Sequence, residues 1–250
     1  MGTSMAHHFA AEGARVVILD RNEEAGSKIA ADIKAKGYEA CFMKTDVLSH
    51  EVLEQNCRDI VAKYGTIDVL INGAGGNMPG ATVPPDKTIF DLKIDDFRRV
   101  VDLNLFGTVI PTMVFAKVMV EKKRGSIINV SSESSIRPLT RVVGYSAAKA
   151  AVSNFTRWMC GELAQKFGEG LRVNAIAPGF FLTEQNRTLM TNPDGSLTAR
   201  GKTIIAHTPF GRFGEPEELL GTLQWLASDA SKFVSGTVTV IDGGFDAFAI

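Results

Sequence analysis

Short apolar runs alternate along this chain with longer stretches in which apolar residues recur every three or four positions. The short runs are typical of buried strands, whereas the longer spacing is typical of helices with one buried face. The predicted strands are residues 14–20, 39–44, 67–71, 126–130, 171–176 and 237–241. The predicted helices are residues 23–36, 50–64, about 95–121, 145–167 and 215–227. This alternation predicts an α/β fold with a doubly wound parallel sheet, in a single domain that spans residues 1–250.

Two stretches interrupt the alternation, and each follows a predicted strand. Residues 73–85 are dense in Gly and Pro, and residues 180–214 form a long insertion with Asn192-Pro-Asp-Gly195 at its predicted tip. Ligands of such folds bind at the carboxyl ends of the strands, so both stretches are expected beside the ligand cleft. We interpret residues 180–214 as a substrate lid.

A candidate acid/base device lies between two neighbouring elements. Ser132 follows the predicted strand 126–130, and Tyr145 and Lys149 lie one turn apart on the following helix. A free tyrosine has a pKa near 10, and a nearby ammonium favours the phenolate. A serine hydroxyl beside them can hold a substrate oxygen against the phenol. This trio suits the transfer of a proton to or from an alcohol or carbonyl oxygen.

These residues resemble the signature of the short-chain dehydrogenase/reductase family, a Tyr-x-x-x-Lys with a serine about 13 residues upstream. The resemblance covers nearly the whole chain and implies a Rossmann-like fold. It includes Asn72-Gly-Ala-Gly75, where Gly73 replaces the second Asn of the family, and it includes Asn104. Pro178-Gly179 with Thr183 is similar to the segment that contacts the nicotinamide in that family.

The resemblance implies a role for each residue of the site. Tyr145 is expected to be the general acid/base, and Ser132 to hold the substrate oxygen. Lys149 is expected to lower the pKa of the tyrosine and to bind the nicotinamide ribose, and Asn104 to organise a water that carries the proton away. The implied cofactor contacts are Asn72, Ala74, Gly75, Lys149, Pro178, Gly179 and Thr183.

The choice of cofactor depends on the end of the first predicted strand. Asp20 can accept hydrogen bonds from the adenosine ribose and would repel a 2′-phosphate, which favours NAD(H) over NADP(H). Arg21 follows directly and could soften that preference. Asp46-Val47 resembles the pair that contacts adenine in the family, although an Asp after a strand is often only a helix cap.

The amino terminus departs from the family pattern. A dinucleotide-binding fold needs a first strand and a glycine-rich turn that cradles the pyrophosphate. Here Gly2 occupies the place of the last glycine, and residues 3–13 resemble the helix that follows the turn. We therefore expect the printed sequence to lack the first strand. An inactive fragment or a binding-only relative is the alternative to an active enzyme.

Composition narrows the class of partner. The 250 residues carry a formal net charge of −1. The chain therefore does not have the positive charge that is typical of a nucleic-acid or membrane-surface protein. We expect a small-molecule substrate. Cys41, Cys57 and Cys160 are widely spaced, as expected for free thiols in the cytoplasm. No pattern suggests a metal site. The apolar stretch 103–120 is interpreted as a core or subunit-interface helix, and family members commonly form homotetramers.

Three segments resemble the branch of the family that contains the D-mannonate oxidoreductases (fructuronate reductases). They are residues 177–187, residues 205–216 and Asp242-Gly-Gly-Phe245. A sugar acid requires an Arg and amides, and Gln185, Asn186 and Arg187 are candidates for that role. Other sugar acids, polyols or a gluconate-type 5-keto acid are alternatives, and a 3-oxoacyl thioester is less favoured.

Overall fold

The computed structural model describes residues 1–183 and 186–248. The strands are β1 Val16–Asp20, β2 Ala40–Lys44, β3 Val69–Asn72, β4 Gly125–Val130, β5 Leu171–Pro178 and β6 Val238–Ile241. The helices are α1 Gly2–Ala11, α2 Glu23–Ala35, α3 His50–Tyr64, α4 Ile94–Val101, α5 Gly107–Glu121, α6 Val143–Phe167, α7 Arg187–Met190, α8 Ala199–Ala206 and α9 Leu220–Ala227. All the predicted strands and helices are present, with bounds that shift by a few residues.

The described strands form two parallel sheets. β1 pairs with β2, and the other four strands pair in the order β3, β4, β5, β6. Among the described strands none pairs with both β1 and β3, so each of these two strands has one unpaired edge. The fold is thus Rossmann-like, α/β and parallel, without the first strand, as predicted. Within each sheet the carboxyl ends of all strands share one edge, which is where the site residues lie.

Helices join the two sheets into one body. Met5 and Phe9 of α1 pack against the four-stranded sheet, while Ala6 and Ala10 of the same helix pack with residues of α2, β1 and β2. On the other side, Phe115 of α5 belongs to a cluster that includes side chains of α3, β1 and β3. Every residue of β5 is buried, as expected for a central strand covered on both faces.

The long predicted helix near residues 95–121 is interrupted. A π-helical turn, Asp102–Phe106, separates α4 from α5. A π turn inserts one residue into the helix and redirects the side chains around it, and such turns are frequent at functional sites. Asn104 lies at the centre of this turn and is fully buried.

One helical stretch among the described residues, Ile94–Glu121, is long and apolar enough to cross a membrane by length and composition alone. Half of its most apolar window is buried inside the fold. Its side chains Val114, Phe115 and Met119 belong to two of the core clusters. The interpretation of residues 103–120 as a core helix is confirmed.

The segment from Phe180 to Gly214 carries its own short elements, α7 and α8. A parallel bridge between Phe181 and Gly214 closes its base, and an antiparallel bridge between Thr191 and Leu197 closes the predicted tip. Gly195 within that tip has φ +84°, the left-handed region that a glycine adopts without strain. The segment is therefore a small folded unit on the surface of the domain.

Candidate active site

The predicted trio lies where β4 ends and α6 begins. Ser132 follows β4 by two residues and caps a short 3₁₀ turn, Glu133–Ser135, because its Oγ accepts a hydrogen bond from the Ser134 amide at 3.2 Å. Tyr145 and Lys149 lie in the first two turns of α6. The Nζ of Lys149 lies 5.6 Å from the centre of the Tyr145 ring. The structure thus brings Tyr145 and Lys149 together, and the Ser132 hydroxyl lies close enough to Tyr145 to affect the pKa of the phenol.

Buried hydrogen bonds fix α6 to the end of β4. Lys149 is 3% exposed, and its Nζ donates to the carbonyl oxygen of Val130 at 2.7 Å. The Oγ of Ser131 donates to the carbonyl oxygen of Lys149 at 3.1 Å and lies 2.6 Å from the Oγ of Ser153. Ser153 then donates to the Oγ of Ser135 at 3.0 Å. This network holds the relative positions of the Ser132 turn and the helix that carries Tyr145.

Burial shifts the pKa values of both Tyr145 and Lys149. It raises the pKa of Tyr145, and the nearby Ser132 hydroxyl opposes this only in part. The predicted lowering of the tyrosine pKa by Lys149 is not seen. Burial also disfavours the ammonium and lowers the pKa of Lys149 to about 8.

Asn104 is held by backbone groups on both sides. Its Nδ2 donates to the carbonyl oxygens of Gly76 and Val100, each at 2.7 Å, and its Oδ1 accepts from the Gly76 amide at 3.1 Å. A Cβ added at Gly75 would lie 2.6 Å from the Oδ1 of Asn104 and 3.2 Å from the Nζ of Lys149. Asn104 and Lys149 therefore converge on the backbone of Gly75, which only a residue without a side chain can occupy.

Asn72, predicted to contact the cofactor, lies within the protein interior. Its Nδ2 donates to the Oγ1 of Thr112 and to the Oδ1 of Asn129, each at 2.9 Å. The Nδ2 of Asn129 in turn donates to Thr156. The Asn72 side chain therefore links β3 and β4 to α5 and α6. Its neighbour Ala74 is half-buried, in the loop that leads to Gly75.

The residues predicted at the adenosine end lie at the carboxyl ends of β1 and β2. Asp20 is exposed and accepts a hydrogen bond from the Asn22 amide at 2.8 Å. Asp46 is also exposed and accepts from the Leu48 amide, whereas half-buried Val47 packs close to Gly107. Gly2 is the exposed first residue of α1. Asp20 is the last residue of β1, and Asp46 and Val47 follow the end of β2, so these three residues lie at the carboxyl edge of the two-stranded sheet.

The carboxyl end of β5 carries the next group of predicted residues. Pro178 is its last residue, and a Cβ at Gly179 would come within 2.6 Å of the Cβ of Asp242, so this approach also requires glycine. The amide of Thr183 donates to the Oδ1 of Asn186 at 2.8 Å, and the Nδ2 of Asn186 donates to the carbonyl oxygen of Phe181 at 2.7 Å.

This geometry revises one substrate prediction. The side-chain amide of Asn186 shapes the loop in this structure, so it is engaged with backbone groups rather than free for a ligand. Arg187 is exposed at the start of α7. Gln185 lies outside the described residues.

Three charged residues near the site were not singled out by sequence analysis. Glu133, directly after Ser132, is 1% exposed. Arg141 and Arg200 are half-buried and lie close together. Burial lowers the pKa of Arg200, and the positive charge of Arg141 lowers it further. A single charged residue in a loop, a turn or a short helix has no periodicity that would reveal its burial. Only the position of Arg141, four residues before Tyr145, could have drawn attention to it.

Two cavities differ in whether site residues line them. One of about 580 Å³ lies beside α1 and is lined in part by His7, Tyr38 and Glu217, which are not site residues. A smaller one of about 190 Å³ is lined by residues of the Phe180–Gly214 segment together with Asp242 and Gly243. Because Asp242 packs on Gly179, the smaller cavity is the one that adjoins the predicted nicotinamide contacts.

Known proteins are similar to this chain in both sequence and fold. A family model described as enoyl-(acyl carrier protein) reductase matches residues 1–246. An uncharacterized oxidoreductase of Bacillus subtilis, UxuB, is 44% identical over 99% of this chain and 91% of the relative.

Two solved structures extend this likeness. A Haemophilus influenzae protein, provisionally named D-mannonate oxidoreductase and solved with bound NAD, is 42% identical with a TM-score of 0.93, covering 99% of this chain and 91% of that one. A gluconate 5-dehydrogenase of Burkholderia cenocepacia, solved with NADP and tartrate, is 33% identical with a TM-score of 0.87 and the same coverage.

Proposed function

Because the chain belongs to the short-chain dehydrogenase/reductase family, an oxidoreductase family, we propose that it interconverts a secondary alcohol and a ketone on a sugar acid with NAD(H). D-mannonate and D-fructuronate are the leading substrate pair. The observation that carries the proposal is the convergence of Ser132, Tyr145 and Lys149 at the end of β4, with Asn104 and Lys149 meeting at Gly75.

Each side chain of this cluster has a task that follows from its surroundings. The Ser132 hydroxyl, which lies near Tyr145, orients the substrate oxygen toward the phenol. The high pKa of Tyr145 keeps its proton in place, so the phenol is ready to protonate a ketone oxygen during reduction. In the reverse direction the same oxygen accepts the proton, and a positive charge on Lys149 would favour that state.

The residues at the strand ends fit a dinucleotide. The backbone of Gly75 packs so closely against Lys149 and Asn104 that a Cβ would clash, and the dinucleotide is proposed to pass along this glycine. When bound, the nicotinamide supplies or accepts the hydride, and the protein supplies the proton and the orientation. Exposed Asp20 at the end of β1 suits the ribose hydroxyls of NAD, which supports NAD over NADP. The mannonate relative carries NAD, whereas the gluconate relative carries NADP.

A pair of arginines supports an anionic substrate. Arg141 belongs to the segment that leads from the Ser132 turn to Tyr145, and Arg200 belongs to α8 of the Phe180–Gly214 segment. Burial of Arg200 disfavours its charged form, and repulsion from the guanidinium group of Arg141 disfavours it further. A carboxylate between them would relieve both effects and form charge-assisted hydrogen bonds. Their half-buried position makes this pair a better carboxylate site than exposed Arg187.

The experiment compares two arginine variants on a substrate panel. The protein is expected to reduce D-fructuronate better than neutral ketohexoses or 3-oxoacyl thioesters, with a higher kcat/KM for NADH than for NADPH. A charge-assisted hydrogen bond contributes about 1.5–3 kcal/mol, so Arg200→Gln should raise KM for the acid roughly 10- to 100-fold and leave KM for NADH unchanged. Arg187→Gln is the matched control, with an expected change of less than about threefold.

Three results would count against parts of this proposal. A preference for a neutral polyol would reject the sugar-acid substrate while leaving the oxidoreductase assignment intact. A larger effect of Arg187→Gln than of Arg200→Gln would move the carboxylate site to α7. A higher kcat/KM with NADPH would reject the role given to Asp20. Preference for 5-ketogluconate would favour the alternative substrate class, which the likeness to gluconate 5-dehydrogenase supports.

Assembly and location belong to the same proposal. We propose a homotetramer, because Phe106 and Met113 before and on α5 and Trp158 on α6 are large apolar side chains with substantial exposure. We propose a cytoplasmic location, which the free thiols of Cys41, Cys57 and Cys160 support. Light scattering that detects a stable, active monomer would reject the tetramer.

A further inference from the structure

Glu133 is a buried acid whose carboxyl group has no conventional partner. The residue is 1% exposed, and neither carboxyl oxygen accepts a hydrogen bond from an N–H or O–H donor within residues 1–183 and 186–248. An isolated carboxylate in such a place would be strongly destabilising. A buried acid of this kind either binds a partner or keeps its proton.

The charged groups around Glu133 come from its own turn and from the segment after β6. Arg137, four residues along the chain, donates from its Nε to the Oδ1 of Asp246 at 2.7 Å and also donates to the Asp246 carbonyl oxygen. Asp242 accepts from the amides of Gly244 and Asp246 at 2.8 and 2.6 Å. Among the described residues around Glu133, the positive charge of Arg137 is thus already engaged by Asp246, and Asp242 and Asp246 contribute negative charge.

These surroundings favour the protonated acid. Burial raises the pKa of Glu133 to about 7, assisted by the negative charges of Asp246 and Asp242 and opposed by Arg137. The carboxyl groups of Glu133 and Asp246 lie within hydrogen-bonding reach of each other. Two carboxyl groups form a hydrogen bond only when one of them carries a proton.

We propose that Glu133 is a positioning residue that donates its proton to Asp246 and, together with Arg137, holds the segment Asp242–Asp246 against the turn that carries Ser132. The contacts form a closed ring. The carbonyl oxygen of Glu133 accepts from the Arg137 amide at 3.1 Å, and Arg137 binds Asp246. The proposed hydrogen bond from the Glu133 carboxyl to nearby Asp246 completes the ring. We call this set the Glu133 clamp.

The Glu133 clamp connects two parts of the active site. Ser132 is the residue before Glu133, and Asp242 packs against Gly179 at the end of β5. Phe245 of the clamped segment also contacts Phe180 edge-to-face, with ring centres 5.1 Å apart. Ionisation of Glu133 would place three carboxylates and one guanidinium in the same space. Repulsion would then loosen the clamp and displace the Ser132 hydroxyl. The proposal rests on the proposed function only for the role of Ser132, not for the identity of the substrate.

The experiment measures stability and turnover from pH 5 to pH 8.5 for four variants. Glu133→Gln cannot ionise but can still donate to Asp246, so it should keep kcat and have a higher urea midpoint than the unmutated protein above pH 7. The folded-state pKa of Glu133 is raised, so its destabilising effect is absent below the unfolded value near 4.5 and complete above about 7. The midpoints of the two proteins should therefore converge near pH 5. Exposed Glu169→Gln is the control and should follow the unmutated protein throughout.

Two further variants separate positioning from bulk stability. Glu133→Ala removes the donor and should lower kcat roughly 10- to 100-fold, with KM for NADH unchanged, because a small displacement of a reacting group has effects of this size. Asp246→Asn offers an amide to Glu133 and removes one negative charge but leaves Glu133 buried, so it should make the pH step in the urea midpoint smaller and shift it to lower pH.

The proposal is overturned if Glu133→Gln retains the pH dependence of the unmutated protein, or if Glu133→Ala keeps full kcat. Should the variants not fold, infrared spectra of the unmutated protein decide. The carbonyl stretch of a protonated carboxyl should be present at pH 6 and lost by pH 8.5, and its absence at pH 6 would overturn the proposal. The stability and infrared measurements need no substrate, so a failure of the sugar-acid proposal leaves them valid.

Discussion

The carboxyl end of the four-stranded sheet and the segment Phe180–Gly214 are built in different ways. At the sheet edge, side chains from distant parts of the chain hydrogen-bond in the interior, as Asn72 does with Asn129 and Thr112. In the segment, the side-chain bonds are mostly local. Asp194, for example, accepts from the amide and hydroxyl of Ser196, two residues away.

This difference separates the reaction from its specificity. The long-range bonds of the sheet edge can break only if helices separate from strands, so the positions of Tyr145 and Lys149 are part of the global fold. Local bonds in a surface segment can change without that cost, and loops of this kind carry specificity in many folds. The chemistry is therefore expected to tolerate little change at the sheet edge, and substrate choice to vary with the segment.

The largest effect is expected from removal of one hydroxyl at the sheet edge. Tyr145→Phe keeps the ring and the packing but removes the transferable proton, so kcat should fall about 10²- to 10⁴-fold. The Kd for NADH, measured by fluorescence titration, should stay within about twofold of its original value.

Exposed Tyr38 offers the matched control, since Tyr38→Phe makes the same chemical change away from the site. Its kcat should be unaltered. Residual activity of Tyr145→Phe within tenfold of the unmutated protein would mean that another group transfers the proton.

A second test adds one methyl group at the sheet edge. In Gly75→Ala the new Cβ would meet Asn104 at 2.6 Å and Lys149 at 3.2 Å, so one of these buried side chains must move. We expect a loss of kcat/KM of roughly 10- to 100-fold and a loss of stability of about 1–3 kcal/mol, the usual cost of overpacking.

Gly73→Ala is its control, because no atom lies within 4 Å of the added Cβ. It should leave kcat/KM and the urea midpoint nearly unchanged. Equal effects at both positions would show that the loop after β3 is sensitive as a whole, and the convergence of Asn104 and Lys149 on Gly75 would then carry no special weight.

The sequence predicted those features that repeat or have a fixed spacing. Strands and helices follow from periodicity, and the position of Ser132 near Tyr145 follows from strand and helix ends meeting at one sheet edge. The π turn at Asn104 has no periodic signal, because it changes the helix by a single residue. The sequence likewise placed Asn72 at the end of a strand but did not predict that its side-chain amide points into the interior, because that depends on contacts with Thr112 and Asn129.

The burial of charged residues in loops and short helices has no signal in the sequence. The position beside Thr183 predicts Arg187 as a substrate contact, yet the structure leaves Arg187 exposed and partly buries Arg141 and Arg200 instead. Burial of a loop residue depends on contacts between segments far apart in the chain, such as the clamped segment after β6 that covers Glu133. Sequence spacing carries no information about such contacts.

The smallest effect concerns stability and has the opposite sign from the effect on activity. Burial lowers the pKa of Lys149 from 10.5 to about 8, which corresponds to roughly 3 kcal/mol of destabilisation while the free chain keeps its ammonium. Lys149→Met removes that burden but leaves the carbonyl oxygen of Val130 without its donor, at a cost of about 1–3 kcal/mol. The inactive variant should therefore be more stable than the unmutated, cofactor-free protein at pH 7, by up to about 2 kcal/mol.

The pH dependence distinguishes this explanation from better apolar packing. The destabilising effect of Lys149 is complete below its folded pKa near 8 and disappears as the pH rises toward the unfolded value of 10.5. Urea unfolding at pH 7 and pH 10 should therefore give a stability advantage for Lys149→Met that shrinks at the higher pH. A constant advantage would assign the gain to packing, and a variant less stable at both pH values would show that the bond to Val130 outweighs the buried charge. Either result would mean that the buried charge of Lys149 does not lower the free energy of unfolding by the amount inferred from its pKa.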